Sequence, residues 1–294
     1  MRKFLLLTFV GMLTFFYEPT EVFSQSCVPT NLNNTVIPLS CGTPCTTVRF
    51  QVPHLKETDQ YIVNSIPYNA YPYDQGTQIP SIYVDDQYSD LIPMTFPFCF
   101  YGQTYNNIVV GSNGIATFET ICANVANAYT LSSGGAPQPL PYNAPAAPGG
   151  GGTTYYPRTA IMGIYHDIDP SASPLPTRRI EYNIVGAAPC RKFVISFLDV
   201  KMFSCNTLIA TSQIVLHEST GLIEVFVLNK PVCPTWPSGA TGGLAILGIQ
   251  DDTRTKFATP PPVKTVHNSP KPTLDIVLLQ AAVPQNLLAP NYSA

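Results

Sequence analysis

Charge is what this 294-residue chain has least of. Lys, Arg, Asp and Glu together make up 11% of it, against about 25% in an average soluble domain. The balance is 15 basic to 18 acidic residues, a net charge of −3. Without a basic excess there is no electrostatic footing for a phosphate backbone, which argues against nucleic acid as a partner. There is no C-x-x-C pair and no histidine at zinc-finger distance, which argues against a structural zinc site. Helix signals are nearly absent beyond the first residues. No apolar run reaches the roughly 20 residues of a membrane-spanning helix. The N-terminal run, Phe4 to Phe16, covers 13 residues.

That run has a clear meaning. Met1-Arg2-Lys3 precedes it and Ser24-Gln25-Ser26 follows, the three-part layout of a secretory signal peptide over 1–26. Cys27 sits just past the exit, so a lipid anchor has to be weighed. Val22-Phe23-Ser24-Gln25-Ser26 is a poor lipoprotein signal, and lipidation would leave an odd seven cysteines, so simple cleavage is favoured. The eight cysteines, at 27, 41, 45, 99, 122, 190, 205 and 233, then read as disulfide formers in an oxidising compartment. The expected location is secreted or on a bacterial cell surface. With 45% hydrophobic residues, 16 Tyr, 15 Phe and 30 Pro, the chain can build a core between long loops.

Short β-prone runs recur at 46–52, 81–84, 96–101, 106–111, 115–119, 159–165, 178–184, 191–198, 208–217, 222–229, 243–249 and 273–279. Gly, Pro and Asn separate them. The expected fold is all-β, an antiparallel β-sandwich of jelly-roll type. One module is expected over 27–257, with a Gly/Pro-rich insertion at 132–154 and a Pro-rich segment or linker at 258–294. The stretch Gly111-Ser112-Asn113-Gly114 looks like a phosphate loop, but Ile115-Ala116-Thr117-Phe118 follows it instead of a helix. It reads as a type I′ hairpin turn with Asn113-Gly114 at the tip, Ser112 facing Ile115 and Gly111 facing Ala116. A second turn, at Thr220-Gly221, joins the two longest strands. Along the second of them Ile223, Val225 and Val227 share one face, with Glu224 and Phe226 on the other.

Five segments in order, "FPFCFYGQTYNNIVVGSNGIATFE" (96–119), "IYHDIDPS" (164–171), "PCRKFVISF" (189–197), "QIVLHESTGLIEVFVLNKPVC" (213–233) and "AILGIQ" (245–250), carry a family resemblance. They resemble the leading module of large Bacteroidetes surface proteins of the gliding-motility-associated type, which use the type IX secretion system. The same order is similar to nidogen-like extracellular domains. The resemblance covers roughly residues 40–257 and implies a nidogen-like β-sandwich on a secreted or surface protein. Proteins of that type continue into repeats and a sorting domain, which this sequence does not show. Either a longer chain or a different surface attachment accounts for that.

The most chemical-looking segment is His166-Asp167-Ile168-Asp169, with Tyr83-Val84-Asp85-Asp86 as its counterpart. If Asp85, Asp86, Asp167 and Asp169 meet in space, together they offer enough hard oxygen ligands for calcium. The plainer reading is that these aspartates cap turns. No other cofactor is implied. A catalytic set is not evident. His217 sits beside a turn, and Glu181, Glu218 and Glu224 lie on strands without the cleft a glycosidase needs. Tyr68, Tyr71 and Tyr73 lie in an uncharged, proline-punctuated stretch and are either a contact surface or a loop packed by its own rings.

The residues therefore point to a non-enzymatic adhesion or surface-architecture module with other surface proteins or extracellular glycans as partners. A secreted carbohydrate-binding module or hydrolase accessory domain is the alternative. Among the cysteines, Cys205 and Cys233 flank the longest hairpin. A Thr220-Gly221 turn leaves them three residues out of register, in flanks that can bend to the roughly 7 Å a disulfide allows. Such a bridge closes a loop of about 29 residues, worth about 3–4 kcal/mol. Cys190 competes for either partner.

Overall fold

The computed structural model describes residues 58–129, 140–141, 157–172, 175–236 and 245–260, and the backbone of 132–133, 136–137 and 276–281. The expected signal peptide over 1–26, the expected strand at 46–52, Cys27, Cys41, Cys45, His54, His267 and most of 132–154 and 258–294 lie outside the described residues.

In chain order the strands are β1 (Tyr61–Ile66), β2 (Thr77–Gln78), β3 (Ile92–Phe100), β4 (Gln103–Gly111), β5 (Ile115–Thr117), β6 (Ser132–Ser133) and β7 (Ala136–Pro137). Then come β8 (Ala160–Tyr165), β9 (Arg179–Val185), β10 (Lys192–Met202), β11 (Cys205–His217), β12 (Ile223–Asn229), β13 (Ile246–Gln250), β14 (Phe257–Ala258) and β15 (Ile276–Ala281). One sheet has seven strands in the order β1-β15-β12-β11-β10-β9-β2. The other has six, β14-β13-β8-β5-β4-β3, and β6-β7 form a small ribbon. The strands pair antiparallel and the two large sheets pack as a sandwich. No helix among the described residues is long and apolar enough to cross a membrane.

Period-two alternation builds the inner faces. Along β3, Ile92, Met94, Phe96 and Phe98 turn inward while Pro93, Thr95 and Pro97 are exposed. β3 is an edge strand, where proline costs no ladder bond. Phe193, Ile195, Phe197, Ile214, Leu216, Ile223 and Val225 meet Phe96, Phe98, Ile108, Val110, Ala116, Ile161 and Ile249 across the sandwich. Each of these apart from Ala116 contributes about 1.5–3 kcal/mol by burial.

The outer faces are covered too. Tyr88 and Cys122 lie over Val109, Ile115, Met162 and Tyr165 of the six-stranded sheet. Ile66, Ala70 and Tyr71 lie over Val194, Val215 and Phe226 of the seven-stranded one. Phe226 is therefore buried although it points away from Ile223, Val225 and Val227.

Three local expectations are corrected. The strand at 81–84 is a 3-10 turn over Pro80–Ile82, started by Pro80 and anchored by buried Ile82. The hairpin at 112–114 has Gly111 opposite Ile115 and Val110 opposite Ala116, so its loop is three residues, Ser112 to Gly114. Positive φ falls on Gly114 (79°) and not on Asn113, because the Asn113 side chain is held by other segments. The two-residue geometry with positive φ at both positions occurs instead at Tyr101-Gly102 (48° and 82°), between Phe100 and Gln103. The turn after β11 is likewise longer: Leu216 faces Ile223, and His217 N–H donates to Leu222 O at 3.0 Å, leaving Glu218–Gly221 as the loop. β1, not expected from its mixed sequence YIVNSI, joins the sheet through Tyr61 and Val63 on its inner face.

Candidate functional site

The acidic residues flagged from sequence sit on two segments that the hairpin turn 112–114 draws together. Asp85 and Asp86 follow the 3-10 turn, and Asp86 has a left-handed φ of 51°. Asp167 follows β8. Between them Asn113, fully buried, donates from Nδ2 to Asp86 Oδ1 (2.8 Å) and accepts on Oδ1 from Ile168 N–H (3.1 Å). Its own N–H donates to Asn127 Oδ1 at 3.1 Å, and its carbonyl accepts from His166 N–H at 3.2 Å. One asparagine thus ties the 85–86 segment to the 166–168 segment.

The result is a group of carboxylates. One oxygen each from Asp85, Asp86 and Asp167 lies within 4.8 Å of the other two. Asp169 stands outside this group. Its Oδ1 accepts from Ser171 N–H (2.8 Å), Ser171 Oγ (2.5 Å) and Ala172 N–H (3.2 Å), which is the turn-capping role. Asp167 is 8% exposed, and its Oδ2 accepts from the Trp236 indole N–H. Asp85 Oδ1 is buried and accepts no hydrogen bond among the described residues. No ion pair among the described residues reaches Asp85, Asp86 or Asp167.

Burial and mutual repulsion act on these groups in the same direction. Burial first, then Asp86 and Asp169, push the Asp85 carboxyl up to about 6. Asp86 is raised by burial, with the Asn113 hydrogen bond pulling against it. Asp167 is pushed up to about 7 by burial and by its three acidic neighbours, against the Trp236 bond. Three oxygens at these separations suit a hard divalent cation, whose other ligands come from water or carbonyls.

His166 is not part of the group. Its Nδ1–H donates to Ile164 O at 2.9 Å, leaving Nε2 as an acceptor without a partner among the described residues. Burial and the charge of Lys230 bring it down to about 3, so it is neutral.

The roof of the site comes from another part of the chain. Cys205 and Cys233 form a disulfide with Cα atoms 5.7 Å apart, as expected, and Cys190 is disulfide-bonded to neither of them. Three residues after Cys233, Trp236 packs against Phe203 (5.1 Å between rings) and Tyr129 (5.9 Å). The 167–169 segment runs beside this hairpin end, with Asp169 N–H donating to Lys201 O at 2.8 Å. Sequence reading missed Asn113 and Trp236 as site residues. Asn113 was read as a turn tip, and the one signal for Trp236 was its being the only tryptophan in the chain.

The other flagged residues lie elsewhere in the fold. Tyr71 N–H donates to Gln213 Oε1 (2.8 Å) and Gln213 Nε2 returns a bond to Tyr71 O (3.1 Å). The Tyr68 ring stands 5.8 Å from Phe226, and the Tyr68 and Tyr73 hydroxyls share a hydrogen bond of 2.9 Å. This loop is packed on the outer face of the seven-stranded sheet, with Tyr68 still 39% exposed. Glu181 pairs with Arg179 (2.9 Å), Glu218 with Arg191 (2.6 Å) and Glu224 with His217 (2.9 Å).

Fold and disulfide together define a disulfide-bonded, antiparallel β-sandwich module. The family model described as NIDO-related matches residues 60–276, and the chain belongs to that family. No curated protein and no solved structure matches it significantly. The nidogen-like module expected from the five segments is thus found, and both it and the disulfide agree with an extracellular location.

Proposed function

We propose that this chain is a non-enzymatic extracellular module of adhesion or surface architecture, and that Asp85, Asp86 and Asp167 hold a calcium ion. The carrying observation is the convergence of three carboxylates, from segments about 80 residues apart, that meet only neutral donors among the described residues. Calcium would neutralise their repulsion and lock the 85–86 segment to the end of β8. Family membership and the disulfide support the extracellular setting. The resemblance to gliding-motility-type surface proteins supports surface attachment, with other surface proteins or glycans as partners. The glutamates and His217 that a hydrolase would use are each engaged in a structural pair, which supports a role without catalysis.

A second reading is favoured by the rings at the roof. Tyr129, Phe203 and Trp236 are half-buried beside the carboxylates, an arrangement suited to stacking on a sugar. Under this reading the same site is a carbohydrate-binding one.

Thermal melting of the chelated chain with and without calcium tests the proposal. A site filled at 100 times its Kd stabilises by about 2.7 kcal/mol, or roughly 5–10 °C for a domain of this size. Asp85→Asn and Asp167→Asn should each abolish the shift. An unchanged Tm together with no titration heat would overturn the calcium site. Glycan-array binding that needs calcium would favour the second reading over the first.

A further inference from the structure

Among the described residues, β1 belongs to the seven-stranded sheet only through β15. It pairs with no other strand among the described residues, and β15 in turn reaches β12. Six residue pairs join β15 to β1, from Tyr61↔Ala281 to Ile66↔Ile276. Three join it to β12: Ile223↔Leu279, Glu224↔Leu278 and Val225↔Val277. Both pairings are antiparallel, so β1 and β12 run parallel to one another, about 9–10 Å apart at two strand spacings.

β1 is also held independently of β15. The Tyr61 hydroxyl donates to Gly221 O at 3.2 Å, and its ring stands 4.9 Å from Tyr101 and 5.6 Å from Phe100. Just ahead of the strand, Thr58 Oγ1 donates to Thr220 O at 3.2 Å. Were β15 to leave, β1 would stay pinned, and two facing strand edges would present unpaired N–H and C=O groups to one another. That is a slot for one extended segment running antiparallel to both walls.

The segment that fills it has its own character. Residues 276–281 read IVLLQA, uncharged and without Gly or Pro, and the NIDO-related match ends where they begin. Seventeen residues, 259–275, separate them from β14 in the other sheet. That length spans up to about 55–60 Å when extended, enough to reach the slot of its own module or of a neighbour.

We propose that the slot between β1 and β12 is a strand-acceptor site whose partner is the 276–281 strand of a second copy of this chain, exchanged for its own. Exchange keeps every ladder bond and changes only the connection. The chain's own strand has an effective concentration in the millimolar range, so it fills the slot in dilute solution. Copies crowded together, as on a surface, approach that concentration and exchange. The proposal does not depend on calcium.

The test uses the full chain carrying Ser65→Cys and Val277→Cys, positions that are direct partners across β1 and β15. Tagged and untagged copies are mixed under mild reduction, concentrated and reoxidised, then mapped by peptide mass spectrometry. Dilute samples should show the 65–277 link within one chain. Concentrated mixtures should show it between tagged and untagged chains. The variant Asn64→Cys with Val277→Cys places the thiols on opposite faces and should not link. A link that stays intrachain at every concentration overturns the exchange. No link at all, or equal linking in the control, overturns the slot.

Discussion

Two turns of this molecule look alike and differ in what their charges meet. Ser112–Gly114 and Glu218–Gly221 both close hairpins, and both are buried where a hairpin tip is ordinarily exposed. Both end on a glycine with positive φ, 79° at Gly114 and 63° at Gly221, under another segment. At the second turn, Glu218 takes two bonds from the Arg191 guanidinium, at 2.8 and 2.6 Å. At the first, the Asp86 and Asp167 carboxylates receive, among the described residues, an amide and an indole N–H. An acid met by a fixed guanidinium is insensitive to what the solution contains. Acids met by neutral donors keep their mutual repulsion, so the end of the molecule around Asn113 is the one expected to respond to pH and, under the proposal above, to divalent ions.

The comparison breaks first at the glycines. A Cβ on Gly114 would stand 2.5 Å from the Ile164 carbonyl oxygen, and backbone cannot yield. Gly114→Val should cost about 3 kcal/mol or more, through strain and overpacking together. At Gly221 the nearest atom, at 2.4 Å, is the Thr58 hydroxyl, which can rotate away by giving up its bond to Thr220 O, and the nearest backbone atom, the Cys99 carbonyl oxygen, stands farther off at 3.1 Å. Gly221→Val should therefore cost less, about 1–2 kcal/mol. Urea unfolding of both variants measures this, and equal losses would mean that the two turns are clamped alike.

The next effect is pH dependence in chelator. Asp85 at about 6 and Asp167 at about 7 lie above the ordinary carboxyl value. The folded protein then binds more protons than the unfolded chain between about pH 4 and 7. The stability these groups contribute is whole below about pH 4 and is lost as pH rises through about 7. Metal-free Tm should fall across that window, and Asp167→Asn should recover on the order of 2 kcal/mol at pH 7.5. Calcium should have the same effect on the unmutated chain. A Tm that rises from pH 4 to 7 would remove the contrast between the turns.

The smallest effect belongs to the paired turn. Glu218→Gln leaves Arg191 a single neutral acceptor, the amide oxygen, and should cost about 1 kcal/mol, equally with and without calcium. A loss that calcium restores would tie Glu218 to the acidic site and merge the two regions.

Much of this could be read along the chain, and the misreadings have a common origin. The β-sandwich was legible because alternation such as Ile92, Met94, Phe96, Phe98 is a local statement about which side chains turn inward. The Cys205–Cys233 bridge was legible because both cysteines flank one hairpin. β1 was not, because its polar Asn64 and Ser65 weaken the strand pattern that Tyr61 and Val63 carry. Sequence places Asn113 at a two-residue hairpin tip because Asn-Gly favours positive φ locally. The bonds to Asp86 and Ile168 that hold it otherwise come from segments tens of residues away.

The sequence by itself determined the all-β class and the two acidic segments, 85–86 and 167–169, since composition and short-range periodicity encode these. The tertiary structure decided the rest. It brought Asp85 and Asp86 to Asp167, left Asp169 to cap its own turn, set Trp236 over the group and put β15 between β1 and β12. The physical reason is distance along the chain. Those contacts join residues that only the packing of two sheets brings together, and no local pattern records which distant partner a side chain will meet.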